Sequence, residues 1–156
     1  YAEAFQRAAA LGLGRTVHAG EGRPAAEIRV VIERLGAQRI GHGTTLLDDP
    51  AVVALVIARE VTIEACPTSN VHTGVIARVE EHPLPRWLDA GVRCCVCADN
   101  TLLSATDARR ELALVARIPG MNDEKLARVV AAGHAGAFSR AAQGAVAAGL
   151  DTVSRG

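Results

Sequence analysis

One unit occurs four times in succession and constrains the fold more than any other feature: a short, β-branched run closed by glycine, proline or a polar residue, then a stretch of helical period. Arg15-Thr-Val-His-Ala-Gly20 precedes a helical segment over residues 25–35, with Pro24 placed for a first helical turn. Arg39-Ile-Gly-His-Gly43 precedes Asp48-Asp-Pro50, an N-cap signature that opens a helix over 51–59. Val61-Thr-Ile-Glu-Ala-Cys66 is stopped by Pro67, and His82-Pro83 introduces a helix over 84–90. Residues 92–98 form the fourth strand; Ser104-Ala-Thr-Asp107 has the form of a capping box ahead of a helix over 108–117. The pattern also predicts a helix over 1–13 and two closing helices, 125–139 and 141–150.

Four strand-then-helix units at roughly 20 to 35 residue spacing specify an α/β protein with a parallel sheet. Two closures satisfy this, an open doubly wound sheet or part of a (β/α)8 barrel, which takes about 250 residues. The polar residues favour the barrel. His18, His42, the 66–70 segment and Asp99 each stand at the C-terminal end of a strand, and in a barrel those ends face one mouth.

Composition narrows the function classes. Lys plus Arg and Asp plus Glu are each 17, so the chain has no basic surplus for a phosphate backbone or an anionic membrane. No apolar run reaches the roughly 18 residues of a spanning helix, and the N-terminus lacks the form of a secretory signal, so a cytoplasmic protein is expected. Three of the four cysteines lie in Cys94-Cys95-Val96-Cys97, which is unlike a disulfide framework and reads as reduced thiols. Period-two alternation puts Cys95 and Cys97 on the side of Asp99, toward the barrel interior, and Cys94 on the other, so Cys94 and Cys97 do not form a Cys-x-x-Cys site.

His18-Ala-Gly-Glu21 sets an imidazole at a strand end and a carboxylate three residues on, past a glycine that lets a ligand approach the backbone. This is either a metal ligand beside an acid–base carboxylate or a hydrogen-bonded turn histidine with a solvated glutamate. His42, between two glycines, reads on its own as a satisfied core histidine. Asp99 follows an apolar strand, where an unpaired charge is costly and a metal or histidine is a natural partner. His72 and His82 are expected in surface or loop-bracing positions, and His134 packs or caps in a helix. Together, the strand-end histidines, Asp99 and Glu21 form a set suited to metal-assisted hydrolysis.

In order and spacing, His18-Ala-Gly-Glu21, Arg39-Ile-Gly-His-Gly43, Cys66-Pro-Thr-Ser-Asn70, His82-Pro83 and Ala98-Asp-Asn100 resemble the C-terminal half of the adenosine deaminase family, zinc-dependent (β/α)8-barrel hydrolases of the amidohydrolase superfamily. The resemblance implies that His18 and Asp99 are zinc ligands and that Glu21 protonates purine N1. It implies that His42 helps deprotonate and orient the attacking water, and that Gly20, Glu21 and Asn100 contact the substrate. Asn100 stands where many members carry a second aspartate facing purine N7; its amide can also donate there. The expected activity is release of ammonia from an adenosine-type purine nucleoside to give an inosine-type product. Adenine and 6-aminodeoxyfutalosine are alternative substrates, and a non-catalytic half-barrel that pairs with itself or with an N-terminal half is the competing class.

The sequence departs from the family in one respect. The first-strand His-x-His pair that completes the zinc site has no counterpart anywhere in the chain. Two ligands alone hold a divalent metal weakly, and half a barrel leaves parallel edges and an unfilled interior. The sequence therefore reads as a single partial barrel domain over 1–156, four βα units with C-terminal helices, and as a fragment inactive alone.

Overall fold

The four expected strands form, and they pair in chain order. The computed structural model describes residues 1–139; the helix expected over 141–150 lies outside them. The order is α1 (Ala2–Ala10), β1 (Thr16–Ala19), α2 (Ala26–Leu35), β2 (Arg39–His42), α3 (Pro50–Ala58), β3 (Thr62–Ala65), α4 (Pro67–His72), α5 (Leu84–Asp89), β4 (Arg93–Val96), α6 (Ala108–Val115) and α7 (Asp123–Ala135). The sheet is parallel with order β1-β2-β3-β4. This decides between the two closures. Parallel crossovers are right-handed, so strands added always in one direction place their helices on one face, whereas a doubly wound sheet must reverse direction. The sheet is a sector of a barrel.

The two faces of the sheet differ accordingly. Val17, Ile40, Ile63 and Cys94 join a core with Ile28, Val31, Ile32, Val52, Val56, Leu84, Trp87 and Leu88 from α2, α3 and α5. Each fully buried Val, Ile or Leu among them contributes about 1.5–3 kcal/mol. The other face is polar. In register, Thr16 stands opposite Arg39 and Arg39 opposite Thr62; His18, Gly41, Glu64 and Cys95 form the next row. Cys94 is thus in the core and Cys95 on the opposite face, as alternation requires, and all four cysteines are free.

Helix starts follow their capping side chains. Asp49 accepts hydrogen bonds from Ala51 and Val52 N–H at 2.8 and 3.3 Å, and Asn122 caps α7 through Lys125 N–H. Two expectations are corrected and a third is sharpened. Asp107, rather than Ser104, is the N-cap of α6, accepting from Arg110 N–H at 2.9 Å. Pro67 does not merely stop β3; it opens α4, because a proline has no N–H to lose in a first turn. His82 braces its loop, as expected, but from within: it is buried, and its Nδ1 accepts the Leu84 N–H at 3.1 Å at the start of α5. His72 is exposed at the end of α4, and His134 is exposed in α7. Among the described residues no helix is long and apolar enough to cross a membrane.

Candidate active site

The C-terminal ends of β1, β2 and β4 carry His18, His42 and Asp99 to one rim of the sheet, and α4 brings Ser69 and Asn70 beneath them. Gly41 makes the first of these placements possible. A Cβ there would lie 2.7 Å from His18 Cδ2, so only glycine lets the His18 ring rest across β2. His42 follows with φ 72°, in the left-handed region that costs a non-glycine residue about 1–3 kcal/mol. That turn takes its ring out of the strand's alternation and sets it edge-on to His18, with ring centroids 4.6 Å apart. Asp99 is also left-handed, at φ 53°.

His42 and Glu21 are joined through Asn70. The Asn70 amide donates one hydrogen to Glu21 Oε1 at 3.3 Å and the other to His42 Nδ1 at 3.1 Å. With Nδ1 used as an acceptor, the ring's own proton sits on Nε2, which faces Glu21 Oε2 at 3.6 Å. Thr73 donates a second hydrogen bond to Glu21 Oε1 at 3.0 Å. His42 is 1% exposed, and burial pushes its pKa below the ordinary histidine value while the Glu21 carboxylate pulls the other way.

Asp99 departs from the expectation of a buried carboxylate. It is exposed, because the chain leaves β4 at Val96 and turns outward, and its partner is Ser69, whose hydroxyl donates to Oδ2 at 2.6 Å. His18 is exposed as well, and among the described residues its ring takes part in no hydrogen bond. An imidazole and a carboxylate without a counter-ion are donor types that fit a divalent cation such as zinc. Two donors are not a full set, and the described residues hold no group of three that could bind a metal.

Gly20, at φ 68°, spends its N–H on Glu27 Oε2 and its carbonyl on the Thr44 and Thr45 hydroxyls, so it fixes the turn that carries Glu21. Asn100 accepts the Leu103 N–H with Oδ1 at 2.8 Å, which leaves its Nδ2 as a donor.

Sequence reasoning missed three residues that hold this rim. Ser69 and Asn70 lay inside a quoted motif but carried no assigned role. Glu111, in α6, is fully buried and accepts from Thr68 N–H at 3.1 Å, from the Thr68 hydroxyl and from the Thr106 hydroxyl at 2.7 Å. It thereby anchors the first turn of α4, the helix that presents Ser69 and Asn70. A carboxylate at a helix N-terminus is favourable, but a partner 43 residues away has no local signature.

On the polar face, Arg39 pairs with Glu64, donates to Cys95 Sγ at 3.2 Å and to the Gly136 carbonyl at 2.6 Å. Cys95 and Cys97 share a hydrogen bond that holds the Cys97 thiol below its ordinary pKa and raises that of Cys95.

Comparison with known proteins places the fold. The chain is 42% identical over 125 residues to an aminodeoxyfutalosine deaminase of Acidothermus cellulolyticus, covering 76% of this chain and 35% of that one. It is 38% identical over 125 residues to an adenosine deaminase of Shewanella loihica, covering 80% and 38%. It superimposes on the crystal structure of an adenine deaminase from Arthrobacter aurescens with a TM-score of 0.84 at 30% identity, covering 93% of this chain and 44% of that one. The chain spans less than two fifths of the length of these curated relatives. Residues 1–152 match the adenosine deaminase family model, and the chain belongs to the adenosine deaminase family.

Proposed function

We propose that this chain supplies the acid–base half, and two metal ligands, of a zinc-dependent deaminase that hydrolyses the 6-amino group of an adenosine-type purine. The observation that carries the reading is the Glu21–Asn70–His42 network, a carboxylate and an imidazole held by one buried amide at the strand-end rim. Zinc, when bound, supplies the Lewis acidity that makes hydroxide available near neutral pH. His18 and Asp99 would hold it, with the remaining donors coming from outside the described residues.

The chain's own residues do the rest. Glu21 delivers a proton to purine N1, so that C6 becomes electrophilic and accepts the incoming oxygen; the exocyclic amine then leaves as ammonia. Asn70 and Thr73 both donate to the same oxygen of Glu21, which fixes Oε1 and leaves Oε2 on the side of His42. His42, its Nδ1 committed to Asn70, meets the attacking oxygen through Nε2. Ser69 fixes the orientation of Asp99. Asn100 Nδ2 donates to purine N7, and Gly20, whose N–H is committed to Glu27 and whose Cβ side is filled by Ile28, serves the substrate side by fixing the turn that carries Glu21.

A second substrate reading rests on a specific observation. The 42% identity to an aminodeoxyfutalosine deaminase favours a purine nucleoside with an altered ribose substituent as an alternative to adenosine or adenine.

The test is ammonia release with zinc from adenosine, adenine and 6-aminodeoxyfutalosine, measured on this chain and on the longest open reading frame that contains it. Release by the longer protein names the substrate. No release by either, with folded protein and zinc bound, replaces the enzyme with a non-catalytic half-barrel.

A further inference from the structure

We infer that Glu111, a residue of α6 outside the rim, is a positioning residue for the proton-transfer pair: it caps α4 from a neighbouring helix and so places the Asn70 amide that holds Glu21 and His42. Its effect on turnover rests on the deaminase reading; its effect on the His42 ring does not.

α4 has little to hold it in place by itself. It spans 6 residues, Pro67–His72, and Cys66 at its N-cap makes no side-chain cap hydrogen bond. So short a helix is unstable alone in water, and its first N–H groups need acceptors from outside it. Pro67 brings no N–H, so the first such donor is Thr68, at the position an N-cap side chain ordinarily serves. Glu111 takes that place from 43 residues away: Oε2 accepts the Thr68 N–H at 3.1 Å, and Oε1 accepts the Thr68 hydroxyl and, at 2.7 Å, the Thr106 hydroxyl. The carboxylate is fully buried, so water does not compete for these contacts.

Asn70 depends on that placement. Its Nδ2 donates to Glu21 and His42, but its Oδ1, also buried, has no hydrogen-bond partner among the described residues. The amide is therefore set by the backbone of α4, where the Asn70 N–H bonds the Cys66 carbonyl at 2.9 Å. Its two donations, at 3.3 and 3.1 Å, lie at the long end of the range for N–H donors, so a small shift of α4 weakens both together. Thr106 extends the effect to the loop that carries Asp99 and Asn100. Ser69 ties that loop to α4 at Asp99, and the bridge from Thr106 through Glu111 to Thr68 ties it again where α6 begins. One carboxylate thus holds the acid–base pair and the β4–α6 loop in a common frame.

Nitrogen-15 NMR of the His42 ring tests this on the zinc-free chain at about pH 8, where an ordinary histidine is neutral. His42→Gln identifies the resonances. The unsubstituted chain should show one tautomer, with Nδ1 bare and Nε2 protonated, and Glu111→Ala should give a mixture of tautomers, as Asn70→Ala does. Glu111→Gln keeps an acceptor for the Thr68 N–H and donates to the two hydroxyl oxygens, so it should restore the single tautomer. Val115→Ala truncates a fully buried residue of the same helix and should leave the tautomer unchanged, which separates positioning from lost packing. Thr68→Val removes one contact without opening a cavity; it should shift the ring in the same direction and serves if Glu111→Ala does not fold. In the active protein, kcat should fall about tenfold or more in Glu111→Ala, part of what acid–base catalysis is worth, and return to within about threefold in Glu111→Gln. A single tautomer in Glu111→Ala and Thr68→Val, a mixture in Val115→Ala, no rescue by Glu111→Gln, or an undiminished kcat in Glu111→Ala would each overturn the inference. If the longer protein releases no ammonia, the deaminase reading fails and the tautomer alone decides the role of Glu111.

Discussion

Glu21 and His42 sit at the same rim as His18 and Asp99, yet the two pairs are held very differently. His42 is buried, and Glu21 is tied down by Asn70 and Thr73. His18 and Asp99 are exposed; His18 rests on Gly41 and against the His42 ring, and Asp99 accepts from the Ser69 hydroxyl. The contrast separates what the chain organises by itself from what it offers to something else. The proposed proton-transfer pair needs fixed geometry before substrate arrives, and among the described residues Asn70 and Thr73 supply restraints on it. His18 and Asp99, the proposed metal ligands, would be oriented in part by the metal, and their exposure is consistent with that proposal.

The largest effect should come from breaking the organised half. In the active protein, Glu21→Gln removes the proposed proton donor and no ligand, so turnover should fall by about 10²–10⁴-fold while zinc content stays unchanged. His18→Ala should do the reverse at the metal, lowering zinc stoichiometry. Atomic absorption together with ammonia release distinguishes them, and zinc loss in Glu21→Gln would erase the division between the halves.

Without metal, the same contrast should appear as stability. Asn70 is 0% exposed, and Asn70→Ala leaves the buried His42 Nδ1 without its donor, while Glu21 Oε1 keeps only Thr73; burying a group unpaired costs about 1–3 kcal/mol. Asp99→Asn keeps a side chain that tolerates φ 53° and sits in water, so it should change stability by no more than about 0.5 kcal/mol. Urea denaturation of both variants measures the difference. Equal costs would mean that the two halves are equally constrained by the fold.

The same division explains what could be read from residues alone. Strand positions and the strand-end placement of His18, His42 and Asp99 were legible, because alternation and turn residues are local. So was the Asp49 cap, which acts within three residues. The partial barrel was expected from the polar strand ends, and a parallel sheet paired in chain order agrees with it. What was not legible is long-range. Asn70 reaches His42 across 28 positions and Glu21 across 49, and Glu111 reaches Thr68 across 43. Pro67 hid α4 because the same residue stops a strand and starts a helix. The exposure of Asp99 depended on where β4 ends, three residues before it.

A pH effect concerns a second buried histidine, His82, which among the described residues has no carboxylate to match Glu21. It stands edge-on to Trp87, with ring centroids 5.2 Å apart, and burial alone pushes its pKa from 6.5 down to about 3. Because the folded value lies below the unfolded one, the unfolded chain binds a proton that the folded chain refuses. Stability from this residue is therefore complete above about pH 6.5 and is lost as pH falls from there toward 3. At 1.36 kcal/mol per unit, lowering pH from 8 to 5 should cost about 2 kcal/mol through His82. Protonation at Nδ1 would also cost the hydrogen bond that starts α5. His82→Gln keeps an acceptor for the Leu84 N–H but cannot titrate, so its unfolding free energy should fall less over that range. If both proteins lose the same stability between pH 8 and 5, the acid sensitivity belongs to other groups, and the presence or absence of a facing carboxylate is not what sets the two buried histidines apart.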